Sequence, residues 1–96
     1  MTTHYIIVKL IDKANIDKYV NLAKPIYEEM VKSIDGLNSY ELIINKVNGK
    51  NNYDVMAKLY FDSIESLENN YKPNNLHKRL KEETEFLVEK KTIFDE

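Results

Sequence analysis

The chain contains no cysteine, which excludes a disulfide, a thiolate-bound metal and a cysteine nucleophile. Histidine appears twice, as His4 and His77, too seldom for a histidine-rich metal cluster. No metal and no cofactor are therefore expected. Glycine and proline also occur only twice each, so no glycine-rich phosphate loop can be read. Tryptophan is absent. No apolar run approaches the roughly 20 residues that a membrane helix needs. Met1-Thr2-Thr3-His4 shows no basic stretch followed by an apolar one, so no signal peptide is read and the cytoplasm is the expected compartment. A basic surplus is missing as well. With 14 Lys+Arg against 16 Asp+Glu the net charge is -2, against the pattern of a nucleic-acid binder.

What remains is an ordinary globular balance, 43% hydrophobic and 31% charged, over 96 residues. That length predicts one domain spanning residues 1–96. Tyrosine is used seven times, a costly choice for a small core because each buried hydroxyl needs a partner.

Punctuation falls at Asp35-Gly36, at Asn48-Gly49-Lys50-Asn51-Asn52 and at Lys72-Pro73-Asn74-Asn75. His4 to Ile11, rich in β-branched residues, predicts a strand. Ile16, Tyr19, Val20, Ala23, Tyr27, Met30, Val31 and Ile34 recur at helical steps. They predict one amphipathic helix with Asn15 as N-cap, Gly36 as stop and a kink at Pro25. Leu37 to Val47 and Tyr53 to Phe61 alternate and read as a hairpin across the Asn/Gly loop. Asp62-Ser63-Ile64-Glu65 reads as the start of a short helix to Tyr71. A further helix is predicted over Asn75 to Val88, and a strand over Lys90 to Asp95.

The order β-α-β-β-α-β is that of the ferredoxin-like α+β fold, with an antiparallel four-stranded sheet. The strands are apolar on both sides. His4, Ile6, Val8 and Leu10 take one face of the first strand, and Tyr5, Ile7 and Ile11 the other. The helices suffice for one face only. A second copy, sheet against sheet, is the economical cover and predicts a homodimer. A tyrosine-lined cavity is expected either between the two sheets or between each sheet and its own helices.

Several segments resemble two known families of the dimeric α/β-barrel superfamily. "IDKYVNLAKPIYEEMVKSIDGLNSYEL" (16 to 42), "FDSIESLENNY" (61 to 71) and "LHKRLKEETEFL" are similar to the antibiotic-biosynthesis monooxygenase-like family. "HYIIVKL", "YDVMAKLYFDSIESL", "EKKTIFD" and the interval from Tyr71 to His77 resemble the stress-responsive A/B-barrel family, which includes plant polyketide cyclases. The chain departs from both patterns. Leu59 and Phe61 stand near where the first family commonly has an acidic residue and a tryptophan. Asn74-Asn75-Leu76-His77 stands where the second often reads His-Pro-x-His.

The resemblance implies His77 as a general base and Tyr71 as a hydroxyl donor to a substrate carbonyl or enolate. Both also read as structural, His77 as a solvated first-turn histidine and Tyr71 as a core aromatic. His4, Tyr60 and Phe61 are the expected substrate-binding residues, with His4 at the pocket mouth. The acidic residues Glu82, Glu83 and Glu85 read as a solvated helix face paired with nearby lysines and arginine. The first expectation is a small cofactor-independent monooxygenase-like enzyme acting on an aromatic, quinol-like or polyketide-like substrate. The alternative is a stress-responsive A/B-barrel protein, either cyclase-like or a non-catalytic dimer that binds a small apolar ligand or a partner. No nucleic acid and no membrane are expected as partners.

Overall fold

A computed structural model describes residues 1–47 and 52–96. The turn expected around Asn48–Asn51 lies outside the described residues. β1 (Thr2–Leu10) leads through a 3-10 turn (Lys13–Asn15) into α1 (Ile16–Ser33). β2 (Leu37–Ile44) and β3 (Val55–Phe61) follow. A short helix α2 (Ile64–Ser66) widens into a π turn (Leu67–Tyr71). Then come α3 (Asn75–Thr84), a 3-10 turn (Glu85–Leu87) and β4 (Val88–Asp95). The sheet order is β2-β3-β1-β4, with every neighbouring pair antiparallel. This is the ferredoxin-like fold.

The period of two in the strands decides which residues the helices cover. His4, Ile6, Val8 and Leu10 of β1 and Val55, Ala57, Leu59 and Phe61 of β3 are buried. They meet Tyr19, Ala23, Ile26, Tyr27 and Met30 of α1 and Leu80 of α3. The opposite face, carrying Tyr5, Ile7, Met56 and Tyr60, is only half-buried in the single chain, and Ile43 and Phe94 are exposed there.

Local chemistry sets the element ends differently from the sequence expectation in several places. Asn15 makes no capping bond. Asp12 caps instead, its carboxylate accepting the Ala14 N–H at 2.9 Å, so the chain enters α1 through a tighter turn. Pro25 does not interrupt α1. Pro25 and Asn21, whose carbonyl loses its helical partner, are both exposed, so water can satisfy that carbonyl. Gly36 ends the helix region at φ +89, where a Cβ would sit 2.2 Å from Ser66 Oγ. Val88 is not helical. It opens β4, pairing with Leu10, because the 3-10 turn has already unwound the helix end.

Candidate active site

A cavity lies between the sheet and α3, the second of the two placements open from the sequence. It holds about 170 Å³. Its floor comes from β1 and β4, through His4, Ile6 and Ile93, and its wall from α3, through His77, Leu80 and Thr84. Tyr19 and Tyr71, both buried, also line it. Exposed Lys81, Glu85 and Lys91 form the mouth.

Tyr71 is delivered by an irregularity. Ser63 caps α2, accepting the Ser66 N–H at 3.2 Å. The helix then widens, with Lys72 N–H donating to Leu67 O at 3.1 Å across five residues. Such π turns concentrate at functional sites, because the extra residue re-aims one side chain. Here it seats Tyr71, fully buried, against Phe61 with ring centroids 5.4 Å apart. Asn74 then caps α3 by accepting the Leu76 N–H at 2.8 Å, which fixes His77 in the first turn.

Tyr71 sits between two imidazoles. Its ring centroid is 5.3 Å from that of His4 and 4.5 Å from that of His77. The Tyr71 hydroxyl is buried with no hydrogen-bond partner among the described residues, as is that of Tyr27. Buried polar atoms are nearly always paired, so an unpaired hydroxyl on a residue that lines a cavity is a donor awaiting an acceptor. Burial pushes the Tyr71 pKa well up, so the group is a neutral O–H at physiological pH. The Tyr19 hydroxyl is likewise pushed up by burial to about 12, against the opposing pull of Thr84.

The histidines have defined tautomers. His77 Nδ1 lies 3.0 Å from the Lys72 carbonyl, which can only accept, so Nδ1 carries the proton and Nε2 the lone pair. His4 Nδ1 hydrogen bonds the Asp95 carboxylate, which leaves its Nε2 as acceptor too. Burial lowers the His4 pKa below its ordinary value, against the opposing pull of Asp95, so the ring is neutral at pH 7. In its neutral form each ring therefore offers Nε2 as the basic nitrogen.

The structure thus brings together three of the five residues named from the sequence, His4, Tyr71 and His77. His4 is buried at 3% exposure rather than standing at the mouth. Tyr60 lies on the opposite face of the sheet, its hydroxyl donating to Glu41. Phe61 is wholly buried and reaches the site only as a packing partner of Tyr71. Asp95 was not singled out from the sequence. Its only signal was the strand register, which places it opposite His4 once β4 is aligned on β1. Among the described residues no three His, Asp or Glu side chains gather as a metal site. No helix among them is long and apolar enough to cross a membrane.

No functionally curated protein matches the sequence. Solved structures do. A protein of Arabidopsis thaliana is 18% identical, covers 100% of this chain and 93% of its own, and superposes with a TM-score of 0.81. A dimeric Bacteroides fragilis protein of ferredoxin-like fold is 17% identical, with coverage of 99% and 93% and a TM-score of 0.78. A Bacteroides thetaiotaomicron protein proposed to be an antibiotic biosynthesis monooxygenase is 15% identical, with coverage of 99% and 86% and a TM-score of 0.75. At these identities the likeness carries the fold. The sequence itself is matched by the Stress responsive A/B Barrel Domain over residues 2–96, and the chain belongs to that family.

Proposed function

We propose that the chain is a cofactor-free acid–base enzyme that takes a proton from carbon beside a carbonyl, in a ring-sized substrate, without oxygen. The observation that carries this reading is the unpartnered hydroxyl of Tyr71, whose ring lies between those of His4 and His77, the three residues lining one cavity. An engineered cavity of roughly 150 Å³ is known to hold benzene. The 170 Å³ here therefore suits one ring.

In this mechanism the substrate oxygen accepts a hydrogen bond from Tyr71. The C–H bond breaks toward His77 Nε2, and its electron pair moves onto the carbonyl to give an enolate. His77 is the base because it is only half-buried and can return its proton to water. The Tyr71 O–H is matched to the oxygen on which negative charge develops. His4, oriented by Asp95, accepts from a substrate hydroxyl and fixes the ring in place. The enolate carbon is then reprotonated, or it attacks a second carbonyl of the same substrate, whose oxygen receives the electron pair and takes the proton back from His77, with no change in oxidation state.

The monooxygenase-like chemistry expected from the sequence would use the same base on a phenol and pass electrons to dioxygen. Membership of the stress-responsive family favours the non-oxidative course. The half-buried sheet face carrying Tyr5, Ile7 and Met56 supports a working homodimer with sheet packed on sheet.

The test is deuterium uptake from D2O into the α-carbon of cyclohexanone, followed by NMR. The protein should accelerate exchange equally in air and under argon. His77→Gln should remove about 10²-fold or more of the acceleration. Exchange unchanged in that variant would reject His77 as base, and oxygen uptake with a menadiol-like quinol would favour the oxidative course.

A further inference from the structure

We infer that the mouth of this cavity is a carboxylate subsite, so the substrate is a ring ketone bearing a single carboxylate arm, with Lys81 and Lys91 as its specificity-determining residues. The inference rests on the proton-transfer reading for what happens at the ring end of the ligand.

The cavity is polarised along its length. On β4 the row facing the helices is Lys91, Ile93 and Asp95, which pair with Val8, Ile6 and His4 of β1. At about 3.3 Å per residue, Lys91 and Asp95 are about 13 Å apart along the strand. On α3 the cavity residues His77, Leu80, Lys81 and Thr84 recur at three- and four-residue steps, with Glu85 just beyond the last turn. Because α3 runs out and β4 runs back, His77 stands near the Asp95 end and Lys81 near the Lys91 end. His4, Tyr71 and His77 lie toward the Asp95 end, and the two lysines lie toward the other.

Lys81 and Lys91 differ from Lys78 and Arg79 of α3. Lys78 pairs with Glu82 at 3.8 Å, and Arg79 pairs with Glu83, each four residues on. Lys81 has Glu85 at the same spacing, yet the two form no ion pair, and Lys91 forms none either among the described residues. Desolvation and the neighbouring Lys81 hold the Lys91 ammonium below its usual pKa, against Glu85. An anion between the two ammoniums relieves that repulsion. Two lysines and Glu85 leave one net positive charge at the mouth, which a singly charged carboxylate matches better than a dianionic phosphate.

The experiment compares cyclohexanone with 4-oxocyclohexanecarboxylate, the same ring with and without the charge. KM for exchange and affinity by ligand-observed NMR are measured at low and high salt. The carboxylate should bind about tenfold tighter at low salt, with the preference shrinking as salt screens the exposed lysines. Lys81→Met and Lys91→Met should bring the two ketones to within about twofold of each other. Lys78→Met, outside the cavity, should keep the ratio. Equal KM for both ketones with the unmodified protein would overturn the subsite while leaving proton transfer standing. Lysine-dependent preference without exchange would uphold the subsite and reject proton transfer. Binding of neither ketone would overturn both.

Discussion

Replacing Tyr71 by Phe should make the protein more stable and less active at once. The ring is fully buried and packs against His4, Phe61 and His77, and phenylalanine keeps every one of those contacts. What the variant loses is a hydroxyl with no partner among the described residues. An unpaired buried hydroxyl costs about 1–3 kcal/mol on the scale of protein mutational data. Removing it should raise stability by about 1–2 kcal/mol. For a domain of this size that is a Tm increase of about 4–16 °C, measured at fixed protein concentration because a dimer's Tm depends on it. The same change removes the donor to the enolate oxygen, and loss of one such donor costs about 10²–10³-fold in rate. Tyr27→Phe is the internal control. Its hydroxyl is equally buried and unpaired, but it does not line the cavity. It should gain stability with exchange unaffected. Calorimetry and the deuterium assay on both variants decide the matter. A Tyr71→Phe protein that melts lower, or that exchanges as fast as the parent, would refute the reasoning.

Other consequences are as direct. Gly36→Ala should cost about 2–4 kcal/mol, adding left-handed backbone strain to overlap with Ser66 Oγ 2.2 Å away, and a second change of Ser66→Gly should recover the overlap part in urea unfolding. His4 has a folded pKa below the unfolded value of about 6.5, so the unfolded chain binds more protons and stability falls as pH drops below 6.5 toward that lower pKa. His4→Gln should flatten this part of the urea midpoint-versus-pH curve, and a curve parallel to the parent's would contradict the shift. Light scattering should give about twice the 11.3 kDa chain mass, with Ile7→Glu on the open face shifting the protein to monomer, and a monomeric parent would remove the sheet-on-sheet argument.

The sheet and its helices could be read from periodicity because burial on one face imposes a period of two or 3.6 on long elements. β1 shows this best, since the His4, Ile6, Val8, Leu10 row is the buried row. Element ends were less legible, being set by single side chains. Asp12 outcompetes Asn15 as a cap because its carboxylate reaches the Ala14 N–H. Val88 has no helix-breaking neighbour to announce that β4 begins there. Of the residues named from the sequence, His4, Tyr71 and His77, given by the family resemblance, meet at the cavity. Asp95 could not be found in this way, since only the β1–β4 register joins it to His4 across 91 residues. Tyr60 and Phe61 are adjacent in a strand and so necessarily point to opposite faces. They cannot both line one cavity, and neither lines this one.

The placement of Asp95 has a dynamic consequence. β4 is an edge strand, bonded to β1 alone, and seven of its eight residues are exposed. Edge strands open locally at a fraction of the free energy of global unfolding. When β4 frays at its end, His4 loses the carboxylate that fixes its proton on Nδ1, and the cavity loses the strand bearing Ile93 and Lys91, although the core beneath α1 stays intact. If the chain transfers protons as proposed, activity should follow the closed fraction of this one strand. Amide exchange in β4, rather than melting of the whole domain, is the measure that should track it.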